Sequence, residues 1–465
     1  MTRAAFRRFL APLALAQFIC SFAGSNMNVM INDITEDLDT TVQGVQATIT
    51  LFLLVMAILM IPCSKLSDRW GRKRCFTAGL ALYGVGALIS ALSPGLGVLI
   101  LGNSVLEGIG TALLIPPVYI LTTLRFDDFN TRARAFGVIS GLGGIGAAAG
   151  PLIGGLITTA ISWRAAFVFQ AVVVATIVLL SRRIADPVAP DPARPFDAWG
   201  AILWAVGMFF VVFGILQADS NGALMAVLLA AGAVFLLWFF LYIRARERAG
   251  GEPLLSTALF KNRTSNLGLV TQNIQWLLLM GVSFVVAVFL QTVRGYNAIE
   301  TGVIFTAATL GVLATSLAAE RLAKRAPQRT LIMAGFVLTG AGIGLLLALV
   351  GASSRVIAFA PGLLLIGLGL GVMLTPSVNL VQSSFPERLQ GEISGLSRSV
   401  SNLGSSFGTA IAGTILVSDL GSGNTSYVIA LVFLAVLAIV GLAAAMRLPA
   451  PDPQPAAHAV GAATP

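Results

Sequence analysis

The sequence predicts an all-α protein that crosses a membrane many times, with two bundles of six helices and two further helices between them. Of its 465 residues, 57% are hydrophobic and only 11% are charged, whereas about 25% of the residues in a soluble domain are charged. Apolar stretches of about twenty residues, the length that spans a bilayer as a helix, recur along the whole chain. No long polar stretch remains for a soluble catalytic domain.

Each apolar stretch is predicted as a helix because lipid offers no hydrogen-bond partner to the backbone. The first stretch follows Arg7 and Arg8 and has the alternative interpretation of a signal peptide, but its length and the many later stretches favour a membrane helix. The fourteen predicted helices cover residues 9–32, 45–64, 74–93, 97–122, 132–160, 164–183, 198–217, 223–243, 265–291, 299–319, 330–350, 356–384, 391–418 and 426–447.

Positive charge distinguishes the two sides of the membrane. Lys and Arg gather at both termini and in every second joint between helices, whereas the other joints hold only Arg164, Arg294 and Arg355. Positively charged joints stay in the cytoplasm. Both termini are therefore predicted to be cytoplasmic, in a multi-pass protein of the cytoplasmic (inner or plasma) membrane.

Polar joints divide the chain into four parts. A joint rich in Pro and Asp follows the sixth helix, and a charged joint follows the eighth. We predict an N-terminal six-helix bundle (1–183), a linker with two additional transmembrane helices (184–264), a C-terminal six-helix bundle (265–447) and a disordered cytoplasmic tail (448–465).

Composition argues against several kinds of chemistry. The single histidine, His458, lies in the Pro/Ala-rich tail, and Cys20, Cys63 and Cys75 show no metal-ligand spacing. The chain has no phosphate-binding P-loop and no evident nucleophile–base set. We expect no metal, no cofactor and no enzymatic activity. Nucleic acid is not an expected partner, because the basic residues are scattered through short joints.

One acid and one base lie inside predicted helices. Glu107 is in the middle of the fourth helix and Arg398 is inside the thirteenth, where a charge costs ~2.5–3.5 kcal/mol on insertion scales. Asn103 shares the helical face of Glu107. Glu107 could take up and release a proton, form a fixed ion pair with Arg398, or bind a cationic substrate directly. We favour proton transfer.

Other polar side chains inside the helices are candidates for lining a substrate cavity. Gln272, Asn273 and Gln275 cluster on the ninth helix, which favours a cavity there, although a single amide more often forms a hydrogen bond between helices. The full set of cavity candidates is Asn28, Asn103, Gln272, Asn273, Gln275, Asn379 and Arg398.

The joint after the second helix carries a charged motif. Residues 64–74 read S-K-L-S-D-R-W-G-R-K-R, and this resembles the G-x-L-a-D-R-x-G-R-K/R-K/R signature of the major facilitator superfamily, with Ser64 in place of the first glycine. A glycine permits a tight turn, and an acid at a helix end can pair with a nearby Arg. We predict that Asp68, Arg69, Gly71 and Arg72 form a latch that holds the two bundles closed on the cytoplasmic side.

The fifth predicted helix carries a glycine array. Its small residues resemble the motif associated with drug:proton antiporters of the same superfamily, and they comprise Gly141, Gly146, Gly150, Pro151, Gly154 and Gly155. Small residues four apart let helices approach closely, and Gly-Pro bends a helix. We predict a hinge between the two bundles; generic helix packing is the alternative interpretation.

With fourteen predicted helices, nearly the whole chain resembles the 14-helix drug:proton antiporter branch, which implies the major facilitator fold. The chain departs from that branch at four positions, two of which are Asn32 in place of a proline in the first helix and Ser104 in place of an Arg in the fourth. Ala23 stands where the first helix of the branch has an acid, and Glu107 stands where its fourth helix has a Gln. We infer that the titrating carboxylate has moved to Glu107, with Asp33 near the outer end of the first helix as the reserve candidate.

These observations predict a secondary active transporter that exports hydrophobic or amphipathic compounds, cationic or neutral, in exchange for protons. Its partners would be protons, small amphipathic substrates and the lipid bilayer, and it would function as a monomer. Two alternatives remain open: a proton-coupled importer or metabolite exporter on the same fold, and a non-transporting membrane sensor or scaffold. The direction of transport rests on the resemblance alone.

Overall fold

The helices follow the predicted order, and their ends differ from the prediction by a few residues. The structure is a computed structural model, and it describes residues 3–449 apart from 127–128, 183, 185, 187–188, 194, 218–220, 351–355, 387–388 and 418–423. The predicted disordered tail lies outside the described residues from position 450 onward. Within the described part, fourteen long helices occur: α1 (Arg3–Asn26), α2 (Val42–Trp70), α3 (Arg72–Ala91), α4 (Leu96–Arg125), α5 (Phe129–Ala160), α6 (Trp163–Ser181), α7 (Ala198–Leu216), α8 (Gly222–Arg248), α9 (Arg263–Val293), α10 (Ala298–Arg325), α11 (Gln328–Val350), α12 (Ala360–Gln382), α13 (Gln390–Val417) and α14 (Thr425–Met446).

Twelve of the helices in the described part are long and apolar enough to cross a membrane. Helix α5 makes a thirteenth if its two halves, bent by 43° after Ala147, count as one span. Pro151 has no N–H for the carbonyl of Ala147, which explains the bend. Helix α13 is as long as the others, but its serines and Arg398 make it too polar to count as such a span. The described residues therefore form the fourteen long helices that were predicted, of which twelve or thirteen are apolar enough to cross a membrane.

Helices α1–α6 pack into one bundle and α9–α14 into a second, and two helix pairs join the bundles: α2 with α13, and α5 with α10. We call the end at which α1 begins the inner end and the opposite end the outer end. Glycines determine how closely these helices approach one another. A side chain at Gly155 of α5 would collide with the backbone of Ala298 in α10, so the two bundles touch there without side chains between them.

The two middle helices cover the seam between the bundles. Helices α7 and α8 pack against each other, and α7 also packs along both α2 and α13. Leu203 and Val212 of α7 are buried in one apolar cluster with Leu54 of α2 and Ile393 of α13. Helix α8 is mostly exposed, as expected for a helix whose outer surface faces lipid.

Helix α1 ends earlier than predicted, at Asn26, and this places the reserve acid outside it. A single turn (Met27–Val29) and a short helix (Ile31–Asp37) continue the chain at the outer end. Asp33 lies half-buried on that short helix. Partial burial and the nearby Glu36 raise the pKa of Asp33 above the usual value for an aspartate.

Candidate functional site

Glu107 lies at the end of a widened stretch of α4. Residues Ile100–Glu107 form a π-helix of eight residues, after which the chain returns to α-helix at Gly108. Such widened turns inside α-helices are frequent at functional sites. The side chain of Glu107 is fully buried, at 0% exposure.

The carboxylate of Glu107 faces α3 inside the N-terminal bundle. The Ser90 hydroxyl lies 3.4 Å from its Oε1, and the Asn103 amide Nδ2 lies 3.5 Å from its Oε2. Gly86 allows this approach, since a Cβ at Gly86 would lie 2.9 Å from Cγ of Glu107. Tyr83 of α3 is also fully buried, and its hydroxyl donates a hydrogen bond to Gln170 of α6. The hydrogen bonds that Glu107 accepts from Ser90 and Asn103 are long, and both come from neutral groups.

Arg398, the other charged residue predicted inside a helix, does not reach Glu107. Its guanidinium donates a hydrogen bond to the hydroxyl of Tyr119 and stacks over the Tyr119 ring, with Cζ 4.4 Å from the ring centroid. Tyr119 follows Glu107 by twelve residues on α4, which is about 18 Å along a helix. Among the residues that the structure describes, no cation is paired with Glu107. The fixed Glu107–Arg398 ion pair, one of the three interpretations, is therefore not formed in this structure.

Arg398 and Tyr119 line a small pocket between the two bundles, toward the inner end. In this structure the pocket has a volume of about 10 Å³, which is room for about one water molecule. Its lining residues come from α2, α4 and α13, and they are Met60, Ser64, Pro116, Tyr119, Ile120, Ser394, Gly395 and Arg398. Sequence reasoning missed Tyr119, because an aromatic residue in an apolar helix carries no signal that distinguishes it from a packing residue.

The other predicted cavity residues are dispersed. Gln272 bonds to Ser397 and Ser401 at 2.9 Å each, and Asn273 donates to the carbonyl of Val400 at 2.9 Å, so both join α9 to α13. Gln275 accepts a hydrogen bond from Ser377 at 2.9 Å. All three amides lie within the C-terminal bundle, where two of them bond to α13 residues that neighbour Arg398 in the chain and the third bonds to α12.

Asn28 and Asn379 lie at separate places. Asn28 is buried at the outer end, where its carbonyl accepts a hydrogen bond from Gln291 at 2.7 Å. Asn32 bonds to the same Gln291 through both its backbone N–H and its side chain. Asn379 is exposed on α12. Gln291 was not among the predicted site residues, although it joins the two bundles at the outer end.

The predicted latch is built mostly within the N-terminal bundle. Gly71 has φ +96° and makes the turn between α2 and α3, a conformation that favours glycine. Asp68 accepts a hydrogen bond from Arg72 at 2.7 Å, and the carboxylate of Asp186 accepts from the backbone N–H of Arg72 at 2.7 Å. Arg69 is half-buried beside them.

An ion pair between the bundles is formed one turn before the latch. Lys65 of α2 lies 2.7 Å from Glu392 of α13, and the second oxygen of Glu392 accepts a hydrogen bond from the backbone N–H of Ser256 at 2.9 Å. Glu392 thus joins α2, α13 and the segment that follows α8. Sequence analysis overlooked this pair; opposite charges at the ends of two facing helices were the available signal.

The glycine array of α5 has two packing partners. Gly146 and Gly150 leave no room for a side chain against α1, and Gly154 lies beside Asn26. Gly155 lies against Ala298 of α10, and the carbonyl of Pro151 lies against Gly302. Gly141 has open space where a side chain would be. The array therefore packs α5 against its own bundle and, at the outer end, against the other bundle.

Residues 13–409 match the model of the Major Facilitator Superfamily. The chain belongs to the Major Facilitator Superfamily. It is a multi-pass membrane protein of a family whose members are generally carriers and not enzymes.

Curated relatives of this superfamily member cover most of its length. A puromycin resistance protein of Streptomyces alboniger is 28% identical over 87% of this chain and 81% of its own length. The tetracenomycin C resistance and export protein of Streptomyces glaucescens is 29% identical over 83% of this chain and 72% of its own length. A multidrug efflux pump of Mycolicibacterium smegmatis is 27% identical over 88% of this chain and 80% of its own length.

A solved structure supports the same fold for this superfamily member. The crystal structure of a POT family transporter in complex with a thioalcohol-conjugated peptide matches it with a TM-score of 0.67 at 17% identity, covering 93% of this chain and 94% of that one. At this identity the match concerns the arrangement of the helices.

Proposed function

We propose that this protein exports hydrophobic and amphipathic compounds from the cytoplasm in exchange for protons, and that it works as a monomer with both termini in the cytoplasm. The observation that carries the proposal is the carboxylate of Glu107, which is fully buried in the membrane-spanning part of α4 with neutral hydrogen-bonding neighbours and no paired cation among the described residues.

The chemistry of a buried carboxylate supports a proton-carrying role. An ionised acid at the centre of a membrane is costly unless a cation pairs with it, so the surroundings of Glu107 favour its neutral form. Water reaching the same carboxylate would favour ionisation. A change of conformation that admits water from one side at a time would thus load and release one proton per cycle.

The contacts between the bundles support such a change of conformation. Lys65 and Glu392 join the bundles near the inner end. At the outer end, Gln291 of the C-terminal bundle bonds to Asn28 and Asn32 of the N-terminal bundle. Breaking one set while keeping the other would open the central region to one side. Helix α5, bent at its Gly-Pro, lies against both α1 and α10, where a rocking motion must pivot.

The direction and the substrates are inferred from the relatives. Two of those described above are named for resistance to, or export of, antibiotics, and a third is named a multidrug efflux pump. Export is the direction that gives resistance. The positive charge on alternate joints supports the placement of both termini in the cytoplasm.

Reconstituted vesicles with an imposed pH gradient test the proposal. The full chain should move a fluorescent amphipathic dye against its own gradient when the opposite side is acid. Glu107→Gln should still move the dye down its gradient but should lose the acceleration by the pH gradient. Asp33→Asn is the matched control and should keep it. Wild-type flux that ignores the pH gradient would disprove proton antiport, and flux in the opposite direction would indicate an importer.

A further inference from the structure

The strongest unassigned feature is the charge of the pocket between the bundles. Of the residues that line it, Arg398 is the charged one, and the remainder are apolar, aromatic, hydroxyl-bearing or glycine. A guanidinium keeps its positive charge at any ordinary pH. The pocket therefore carries a fixed positive charge in the membrane-embedded region where the bundles meet.

Among the residues that the structure describes, no acid pairs with Arg398. Its hydrogen-bond partner, the Tyr119 hydroxyl, is neutral and is itself oriented by donating to Gln17 at 3.2 Å. Within the described part of the chain, the buried Nε of Arg398 has no hydrogen-bond partner. The guanidinium is thus held in place by an aromatic ring while donor capacity remains unused.

The described acids of α13 and of the membrane-spanning part of α4 are engaged or distant. Glu392, six residues earlier on α13, pairs with Lys65 and with the backbone of Ser256. Glu107 is about 18 Å from Tyr119 along α4 and faces α3. The proton-carrying acid lies inside the N-terminal bundle and the charge of the pocket lies between the bundles, so the two are separate sites.

We propose that this pocket, widened when the bundles separate at the inner end, binds amphipathic compounds through an anionic group, a carboxylate or a phenolate, that pairs with Arg398. The planar guanidinium binds such oxygens through parallel hydrogen bonds. The ring of Tyr119 and the apolar side chains of Met60 and Pro116 would contact the hydrophobic part of the compound. This deepens the proposed function and rests on it. It also differs from the sequence-based expectation of cationic or neutral substrates, which assumed an acid in the cavity.

Two dyes that share the xanthene ring system and differ in charge make a matched pair of probes. Fluorescein is an anion at alkaline pH, and tetramethylrhodamine methyl ester is a cation. Binding to the purified full chain in detergent, without any gradient, is followed by fluorescence anisotropy. We expect wild type to bind fluorescein about tenfold more tightly, a difference of about 1.4 kcal/mol.

Substitutions at Arg398 test whether its guanidinium causes the preference for the anionic dye. Arg398→Gln should abolish the preference for fluorescein, and Arg398→Lys should keep part of it, since the charge remains and the planar fork is lost. Tyr119→Phe keeps the ring and should retain the preference for the anion. The ratio of affinities in wild type needs no variant, so the test survives a variant that fails to fold.

Four results would overturn the proposal. Equal affinity for the two dyes, tighter binding of the cation, failure to bind fluorescein, or an unchanged ratio in a folded Arg398→Gln would each overturn it. Because no gradient is present, binding of fluorescein together with flux that ignores pH would reject proton antiport and leave the anion site standing.

Discussion

At the scale of single residues, the two intramembrane charges have different surroundings. Glu107 is enclosed by neutral donors within one bundle, whereas Arg398 lies between the bundles against an aromatic ring. A membrane protein retains such charges only where they face the protein interior or a cavity. Separation of the two sites lets one acid carry a proton while the substrate meets a different group.

A third charged group, at the outer end, makes stability depend on pH. Asp37 accepts hydrogen bonds from Arg164 and, at 3.0 Å, from the indole of Trp163. The bond from Arg164 holds the pKa of Asp37 below its usual value. A lowered pKa in the folded state stabilises the fold above the usual pKa of an aspartate, and this contribution is lost as the pH falls through the lowered value.

We therefore expect Asp37→Asn to destabilise the protein at neutral pH, and the difference from wild type to shrink in acid. The side chain of Asp37 is 45% exposed, so the effect should be no more than about 1 kcal/mol. Thermal unfolding measured across the acid range gives the result. Asp39→Asn, at an exposed position with φ 47° that Asn tolerates, is the control. A constant difference between Asp37→Asn and wild type down to strong acid would contradict the assignment.

At the scale of helices, the glycine array of α5 gives a matched pair of substitutions. Gly146→Ala would place a methyl group against the backbone of Phe18 in α1, whereas Gly141 has open space. We expect Gly146→Ala to cost about 1–3 kcal/mol through overpacking and Gly141→Ala to cost little. Thermal unfolding and dye flux measure both. Equal loss of stability in the two variants would mean that close approach of α1 and α5 is not what the array provides.

The ion pair between α2 and α13 joins the two bundles near the inner end. Lys65→Glu would set two carboxylates against each other where a 2.7 Å ion pair now stands. Loss of a hydrogen bond between charged groups costs about 1.5–3 kcal/mol, so the bundles should separate more often at this end. Access to the pocket is measured by the rate at which a thiol reagent labels Ser394→Cys.

We expect Lys65→Glu to increase the labelling rate about tenfold, which corresponds to about 1.4 kcal/mol. Adding Glu392→Lys should restore the ion pair in reverse and slow the labelling again. The restoration should be partial, because Glu392 also accepts a hydrogen bond from the backbone of Ser256, which lysine cannot replace. Labelling that is the same in wild type and Lys65→Glu would show that this pair does not hold the inner end closed.

At the scale of the whole molecule, the separation of acid and base determines the charge moved in each cycle. Exchange of one proton for one neutral molecule moves a single charge across the membrane, and exchange for a monoanion moves two. Each charge contributes about 2.3 kcal/mol at ~100 mV. Export of an anion would therefore be driven by the membrane potential twice as strongly as export of a neutral compound.

We expect the accumulation ratio of an anionic dye to depend on an imposed potential about twice as steeply as that of a neutral dye. Vesicles with a potassium diffusion potential and no pH gradient provide the measurement. In Glu107→Gln the slope for the anion should fall to that of a single charge, because no proton is carried. Identical slopes for the anionic and neutral dyes in wild type would rule out the two-charge cycle.

The number, order and approximate ends of the helices follow from the sequence. Lipid imposes the same rule on every stretch, so about twenty apolar residues form a helix wherever they occur. The same rule made Glu107 stand out, because an acid in the middle of an apolar stretch can be recognised before its neighbours are known. The family could be inferred from local motifs, such as the joint that contains Gly71 and the glycine array of α5.

Only the tertiary structure decided which charges meet. Sequence reasoning set Arg398 beside Glu107 as one alternative, whereas packing of α13 against α2 and α4 brings Arg398 to Tyr119 and Glu392 to Lys65. The physical reason is that α2 and α4 are apolar along most of their length, so hydrophobic periodicity does not mark which of their faces meets α13. Close contact at glycines fixes those faces, and it depends on residues distant in the chain.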